Sequence, residues 1–169
     1  MDVYLLRHAQ AEASPPPDRT GDRWRELSAE GRDRARGIGR AMARMDPGLE
    51  IVLTSPAPRA RATAEAVVAA LRPRPVLEDL EALWIGGNPR AVAARLRKDS
   101  KALGAVLLVG HEPDLGHLVS LWLTGGPRLR LTFKKCGLCK LKLDHVASAR
   151  CARLEWLLTP RQLMAIGGG

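Results

Sequence analysis

Aromatic side chains are scarce in this chain: one Tyr, one Phe and four Trp among 169 residues. Rings therefore cannot fill the interior, and a core has to be built mainly from Leu, Val and Ala. Cysteine is scarce too. Three Cys is a low and odd number, which argues against a disulfide scaffold and fits a reducing, cytoplasmic setting. No apolar run approaches the ~20 residues that a membrane helix needs. The N-terminus passes from Asp2 straight into an apolar stretch, with no basic segment ahead of a hydrophobic one, which argues against a secretory signal. Neither an internal repeat nor a linker interrupts the chain. The length fits a single domain over 1–166, with Gly167 to Gly169 as a loose tail.

What the chain has in excess is positive charge, +9 at neutral pH. Two readings compete: a polyanionic partner such as nucleic acid, or a solvated basic surface that also favours phosphorylated substrates. Arg far outnumbers Lys, and the Arg are scattered through helical segments beside Ala. No basic helix with interleaved aromatics stands out, so the surface reading is preferred over nucleic-acid binding.

Periodicity gives the organisation. Val3 to Leu6 is a short apolar run that reads as a buried strand, ending in Arg7-His8. Gln10 to Glu26 is a long polar connection whose Ser14-Pro15-Pro16-Pro17 excludes helix and strand interiors. Connections of this length are often functional, and this one is placed to lie over a site. Ser28 then caps a helix with Ala35, Ile38, Met42 and Met45 on one face, stopped at Asp46-Pro47-Gly48. Leu49 to Thr54 reads as a second strand, followed by Ser55 to Thr63 and a helix with Ala60, Ala64, Val67 and Leu71 on one face. Val76-Leu77 forms a short strand. Asn88-Pro89 opens a third helix carrying Val92, Leu96 and Leu103. Ala105 to Val109 is another apolar strand, ending in Gly110-His111-Glu112-Pro113, and a helix with Leu115, Leu118, Val119 and Trp122 follows. Leu129 to Phe133, Leu138 to Leu143 and Arg153 to Leu158 read as strands that are at least partly antiparallel. Thr159-Pro160 begins a last short helix. The pattern predicts an α/β fold: one domain, a mainly parallel central sheet with helices on both faces, and some antiparallel strands towards the C-terminus.

Strand tips at Arg7-His8, at Ser55 through Arg59 and at Gly110-His111 all carry polar groups that stability does not require. In open α/β sheets ligands bind outside the carboxyl ends of the strands. Arg59 also falls in the first turn of a helix, where free N–H groups favour anions. Arg binds a phosphate dianion through two charge-assisted bonds. Two Arg and one protonated His would offset its charge, while a second, neutral His could attack phosphorus in line. Such a set needs no metal and no cofactor, because the guanidinium groups neutralise the charge.

Arg7-His8, Ser55-x-x-x-Arg59 with Thr63, and Gly110-His111 resemble, in type and order, the phosphate pocket of the histidine phosphatase (phosphoglycerate mutase-like) superfamily. Leu27-Ser28-x-Glu30-Gly31 and Trp156 to Pro160 resemble it as well, and the short chain is most similar to its phosphohistidine phosphatase SixA branch. The resemblance implies His8 as nucleophile, Arg7, Arg59 and His111 as a phosphate clamp, and Ser55 as an accessory group in that clamp. It places the general acid in the loop before the third helix, with Glu81 the first choice and Asp79 the second. Ala9 stands where the family has Gly, and Ala62 where it commonly has Gln. The implied reaction is hydrolysis of a protein-borne phosphoryl group, phosphohistidine, through a phospho-His8 intermediate. A small phosphate ester handled the same way is the first alternative. A non-catalytic basic module that binds nucleic acid or a phosphorylated partner is the second.

The remaining candidates have simpler readings. His117 has no motif around it and reads as structural or surface. Cys136-x-x-Cys139 with His145 and Cys151 has the ligand types of a zinc site, but residues three apart on a strand point to opposite faces. Cys139 is better read as a small core residue.

Overall fold

The computed structural model describes residues 1–99 and 103–168. Its strands are β1 (Asp2–Arg7), β2 (Ile51–Thr54), β3 (Val76–Asp79), β4 (Ala105–Gly110), β5 (Leu138–Leu143) and β6 (Ala152–Leu158). Its helices are α1 (Ala29–Met45), α2 (Pro58–Ala70), α3 (Pro89–Asp99), α4 (Asp114–Thr124) and α5 (Pro160–Gly167). Short 3-10 turns occupy Asp22–Trp24 and Glu81–Leu83. The six strands form one sheet in the order β3-β2-β4-β1-β5-β6. The first four are parallel, and β5 and β6 extend the sheet antiparallel beside β1. This is the expected single-domain α/β architecture.

Alternation along β1 divides the core in two. Tyr4 and Leu6 face the layer of α1, α2 and α5, where they meet Ile38, Met42, Ala64, Val67 and Leu163. Val3 and Leu5 face α3 and α4, where they meet Leu96, Leu118, Trp122 and Phe133. Each fully buried aliphatic side chain contributes about 1.5–3 kcal/mol. Aromatics serve both layers: Trp122 and Phe133 fill the second, and Tyr4 with the partly buried Trp84 and Trp156 packs in the first, where Gly39 of α1 also lies close to Ala66, Val67 and Ala70 of α2.

Capping follows the sequence. The Ser28 side chain accepts from Gly31 N, and Thr159 forms a capping box with Gln162. Asn88 Oδ1 accepts from Arg90 N at the start of α3. Three expectations differ from the structure. Leu129 to Phe133 is not a strand. Its amides are taken by side chains, Leu129 N by Ser120 Oγ and Phe133 N by Glu112 Oε1, so no ladder forms. Leu103 lies beyond the end of α3 and packs in the second core layer. Gly167 is buried in α5 and Gly168 caps it in a left-handed conformation, so only Gly169 of the expected tail lies outside the described residues.

One glycine matters for the site. Gly31 faces the backbone of Gln10, two residues past His8, and a Cβ there would run into the Gln10 carbonyl oxygen. That oxygen also accepts from Ser28 N at 3.0 Å. The start of α1 thus holds the chain leaving β1. Gly31→Ala is expected to cost about 1–3 kcal/mol in urea unfolding, through overpacking against backbone. Ser28→Ala is expected to cost about 1 kcal/mol. A Gly31→Ala variant as stable as the parent would show that the carbonyl gives way.

Candidate active site

The β1, β2 and β4 tips meet at one edge of the sheet, and their polar residues meet there too. His8 N donates to Gly110 O at 3.1 Å, and Ser55 N donates to Val109 O at 2.9 Å. The backbone ladder therefore fixes the spacing of Arg7-His8, Ser55 and Gly110-His111. Ala9 follows His8 fully buried and without positive φ, so the place does not require glycine.

His8 is buried, with its ring centroid 5.0 Å from that of His111. Its Nδ1 lies 2.7 Å from Ala9 O, which assigns the proton to Nδ1. Nε2 then carries the lone pair and accepts from Arg59 Nε at 3.3 Å. Burial pulls the His8 pKa down to about 3; the Ala9 hydrogen bond opposes this, and the charges of His111, Arg59 and Arg7 add to it. At neutral pH the ring is an uncharged base in a fixed orientation, its one lone pair engaged by Arg59 Nε.

Arg59 is 2% exposed, unusual for an arginine. Its position in the first turn of α2 is fixed through Thr63, whose hydroxyl donates to Arg59 O at 2.6 Å and accepts from Ala9 N at 3.1 Å. One hydroxyl thus ties the helix to the residue after His8. Arg59 Nη1 donates to Asp22 O at 2.7 Å, and Nη2 donates to Asp22 Oδ2 at 2.8 Å. The long polar connection does lie over the site, with Asp22 as the counter-ion of Arg59. Ala11 and Leu27 pair at the base of this loop, and Arg25 reaches across it to Glu12 O at 2.9 Å.

His111 Nε2 lies 2.8 Å from Ser55 Oγ, which also accepts from Ala57 N at 3.3 Å. No other acceptor for the hydroxyl proton is present among the described residues, so the hydroxyl donates it to Nε2. His111 Nδ1 is left as the N–H, buried and without a partner. Arg7 is in the same condition: Nη1 donates to Phe133 O at 2.6 Å, while Nε is buried and unpartnered. Buried donors without acceptors are costly, and a shared anion would satisfy both. Trp122 Nε1 is a further such atom, but it lies in the core layer of α3 and α4. Burial, the Arg59 charge and the Arg7 charge bring the His111 pKa down to about 4, against an opposing pull from Asp22. The protonated His expected in the clamp is therefore neutral at pH 7 until an anion changes the balance.

Glu81 sits exposed in its 3-10 turn, and no hydrogen bond or ion pair among the described residues joins it to this cluster. Its neighbours Ala82 and Leu83 do line a small cavity against His111. Asp79 is turned to Arg61, 2.9 Å away. Three residues that sequence reading assigned no role stand close. Asp22 is held below its usual carboxylate value: partial burial raises it, but the hydrogen bond from Arg25 and the charges of Arg59 and Arg25 outweigh that. Glu112 Oε1 accepts from Phe133 N at 3.0 Å, which steadies the carbonyl that receives Arg7. Lys135 Nζ donates to Gln10 Oε1 at 2.6 Å, and its pKa is lowered by burial and by Arg7, Arg25 and Arg59. Only the demand of a buried Arg59 for a counter-ion could have pointed to Asp22. His117 is exposed.

Cys136 and Cys139 lie in opposite core layers, and burial pushes both thiols up to about 12. Among the described residues no group of His, Cys, Asp and Glu is arranged to hold a metal ion. No helix among them is long and apolar enough to cross a membrane.

Comparisons with known proteins bear on the fold and family. The sequence profile of the histidine phosphatase superfamily (branch 1) matches residues 3–83, which span His8 and Arg59. An uncharacterised protein of Picosynechococcus sp. (strain PCC 7002) is 34% identical over 144 residues, 84% of this chain and 85% of that protein. The structure of the protein histidine phosphatase SixA complexed with tungstate superposes with a TM-score of 0.81 at 27% identity, covering 96% of this chain and 99% of that one. A SixA structure from Agrobacterium tumefaciens shares the fold, with a TM-score of 0.76 at 24% identity over 94% of this chain and 97% of its own. The chain belongs to the histidine phosphatase superfamily and is a phosphatase-type hydrolase.

Proposed function

We propose that this protein hydrolyses phosphohistidine on a protein substrate through a phospho-His8 intermediate. The observation that carries the reading is the state of His8: neutral, locked through Nδ1 to Ala9 O, and presenting the Nε2 lone pair beside Arg59. In the first step Arg59 Nε turns from Nε2 to a phosphoryl oxygen, and the freed Nε2 lone pair attacks phosphorus in line. The bond from phosphorus to the substrate nitrogen breaks, and the electron pair leaves with the substrate imidazole. In the second step water attacks the phospho-His8 phosphorus, the P–N bond returns its electrons to Nε2, and inorganic phosphate departs. Arg7 Nε, His111 Nδ1 and Arg59 supply the donors that offset charge on the phosphoryl oxygens in both steps. Ser55 orients His111 from behind.

The leaving group fits what surrounds His8. Asp22, the carboxylate bonded to Arg59, is kept ionised by its cations and is no proton donor at neutral pH. Glu81 stands in the loop outside the hydrogen-bonded cluster. A phosphorylated imidazole can be protonated from solvent on its remote nitrogen before the P–N bond breaks, so it needs less help from an acid than an alkoxide does. A SixA solved with tungstate, a tetrahedral oxyanion, supports phosphate-like ligands for this fold.

Release of phosphate from a phosphohistidine protein tests the reading, with a phosphoserine peptide and a sugar phosphate in parallel. His8→Ala is expected to abolish turnover and acid-labile labelling of the enzyme. Arg59→Ala is expected to lower kcat by about 10²–10³-fold, the usual loss for one transition-state donor. Turnover of the sugar phosphate alone would keep the mechanism and discard the substrate.

The pKa of His111 gives a separate expectation. It lies near 4, and a dianion against Nδ1 would raise it. Binding then takes up protons at pH 7, up to about one per anion, and affinity strengthens as pH falls towards that value. Titration calorimetry with tungstate in buffers of different ionisation heat measures this uptake. His111→Gln is expected to remove it, and no uptake by the parent protein would show that His111 binds the anion neutral.

A further inference from the structure

A second positively charged feature lies beside the site and takes no part in the chemistry. Arg34, Lys134, Thr159, Pro160, Arg161 and Met164 line a groove of about 440 Å³ between α1, the start of α5 and the segment that leads into β5. Register places it on the same edge of the sheet as His8. Leu6 pairs with Leu138 at the beginning of β5, and Leu138 pairs with Leu158 at the end of β6. Lys134 and Arg161 therefore flank the strand ends beside the β1 tip. At ~4.8 Å per strand, the β6 end beside the groove is displaced laterally from the β1 tip by about 10 Å. One stretch of chain serves both places: Phe133 O receives Arg7, Cys136 N donates to Arg7 O and His8 O, and Lys134 between them faces the groove.

The lining contains three cations and no carboxylate. Arg34 pairs with Glu30. Lys134 and Arg161 are exposed, and neither has an ion-pair partner among the described residues. Lys135, on the site side, continues the positive potential towards Arg7, Arg25 and Arg59. The α5 N-terminus is already satisfied by its capping box, so it is not a pocket for a single anion. Nor does an aromatic ring line the groove, which removes the stacking platform that single-stranded nucleic acid uses. The Pro160 ring and Met164 thioether instead offer an adaptable apolar floor of the kind that peptide side chains pack on.

Resting on the reading that the substrate phosphoryl group is carried by a protein, we infer that this groove docks an acidic segment of that protein while its phosphohistidine occupies the site. An extended chain covers the separation in about three residues, so acids about three to six positions from the phosphohistidine would meet Lys134 and Arg161. Charges at such a rim act on encounter and on salt dependence more than on the chemical step.

Two synthetic phosphohistidine peptides test this, one carrying four Glu from the third to the sixth position after the phosphohistidine and one carrying Ser there, with free phosphohistidine as the small substrate. The parent enzyme is expected to show a KM about tenfold lower for the acidic peptide, an advantage that fades with added salt. Lys134→Glu with Arg161→Glu is expected to abolish that advantage and leave kcat and free phosphohistidine turnover unchanged. Lys134→Gln with Arg161→Gln should fall between. Equal KM values for the two peptides in the parent would overturn the docking inference alone. Failure to cleave either peptide, with a sugar phosphate still hydrolysed, would overturn the protein-substrate reading and the docking with it. A charge-reversed enzyme that keeps the acidic-peptide advantage but loses salt-sensitive binding of a single-stranded oligonucleotide would assign the groove to nucleic acid instead.

Discussion

The hydrogen bond from His8 Nδ1 to the Ala9 carbonyl is the constraint on which the site depends. It decides which ring nitrogen carries the proton, and so which can act as a nucleophile. Much of the surrounding structure keeps that carbonyl and that ring in place. Thr63 holds Ala9 N and the Arg59 carbonyl together, Gly110 O receives His8 N, and the first turn of α1 packs on Gln10. These groups come from α2, β4 and α1, elements far apart in sequence. The sheet brings them together because parallel strands all end on the same side.

Charge balance is the second constraint. Arg7 and Arg59 act on two imidazoles, Arg25 and Lys135 stand near those guanidinium groups, and Asp22 is the carboxylate that pairs with Arg59 and Arg25. Two buried, protonated imidazoles among those cations would be strongly disfavoured, so both rings are neutral. This would serve the proposed reaction twice. His8 keeps its lone pair, and His111 has room to take a proton when negative charge arrives. Asp22 holds the Arg59 guanidinium from the solvent side and leaves Nε directed at His8.

Much of this was legible in the sequence because it is local. Val3 to Leu6 followed by Arg7-His8 announces a buried strand with a polar tip, and the same logic finds Ser55 with Arg59 and Gly110 with His111. Their meeting follows from parallel pairing, which alternating strands and helices imply. Ser28 and Thr159 declare themselves as caps by residue type and spacing. Asp22 was not legible, because its approach to Arg59 depends on how the Pro-rich connection folds back, with Ala11 paired to Leu27. Glu112 was visible within Gly110 to Pro113, but its bond to Phe133 N is a tertiary contact across 21 residues.

Leu129 to Phe133 shows the limit of periodicity most clearly. The segment alternates as a strand does, and Phe133 is buried as a strand residue would be. A strand also needs a neighbour with free backbone groups. Both edges of β1 are already occupied, by β4 and β5, and Ser120 and Glu112 bind the amides of Leu129 and Phe133 first. Because Phe133 O is not consumed in a ladder, it is free to accept Arg7. The failure to pair is thus part of how the site is built: an apolar side chain anchors the segment from within, and its unladdered carbonyl positions a guanidinium. The same segment carries Lys134 outward to the neighbouring groove. The antiparallel extension of the sheet therefore does more than cover an edge. It sets a second basic surface beside His8, whose own surroundings are fixed by the parallel half.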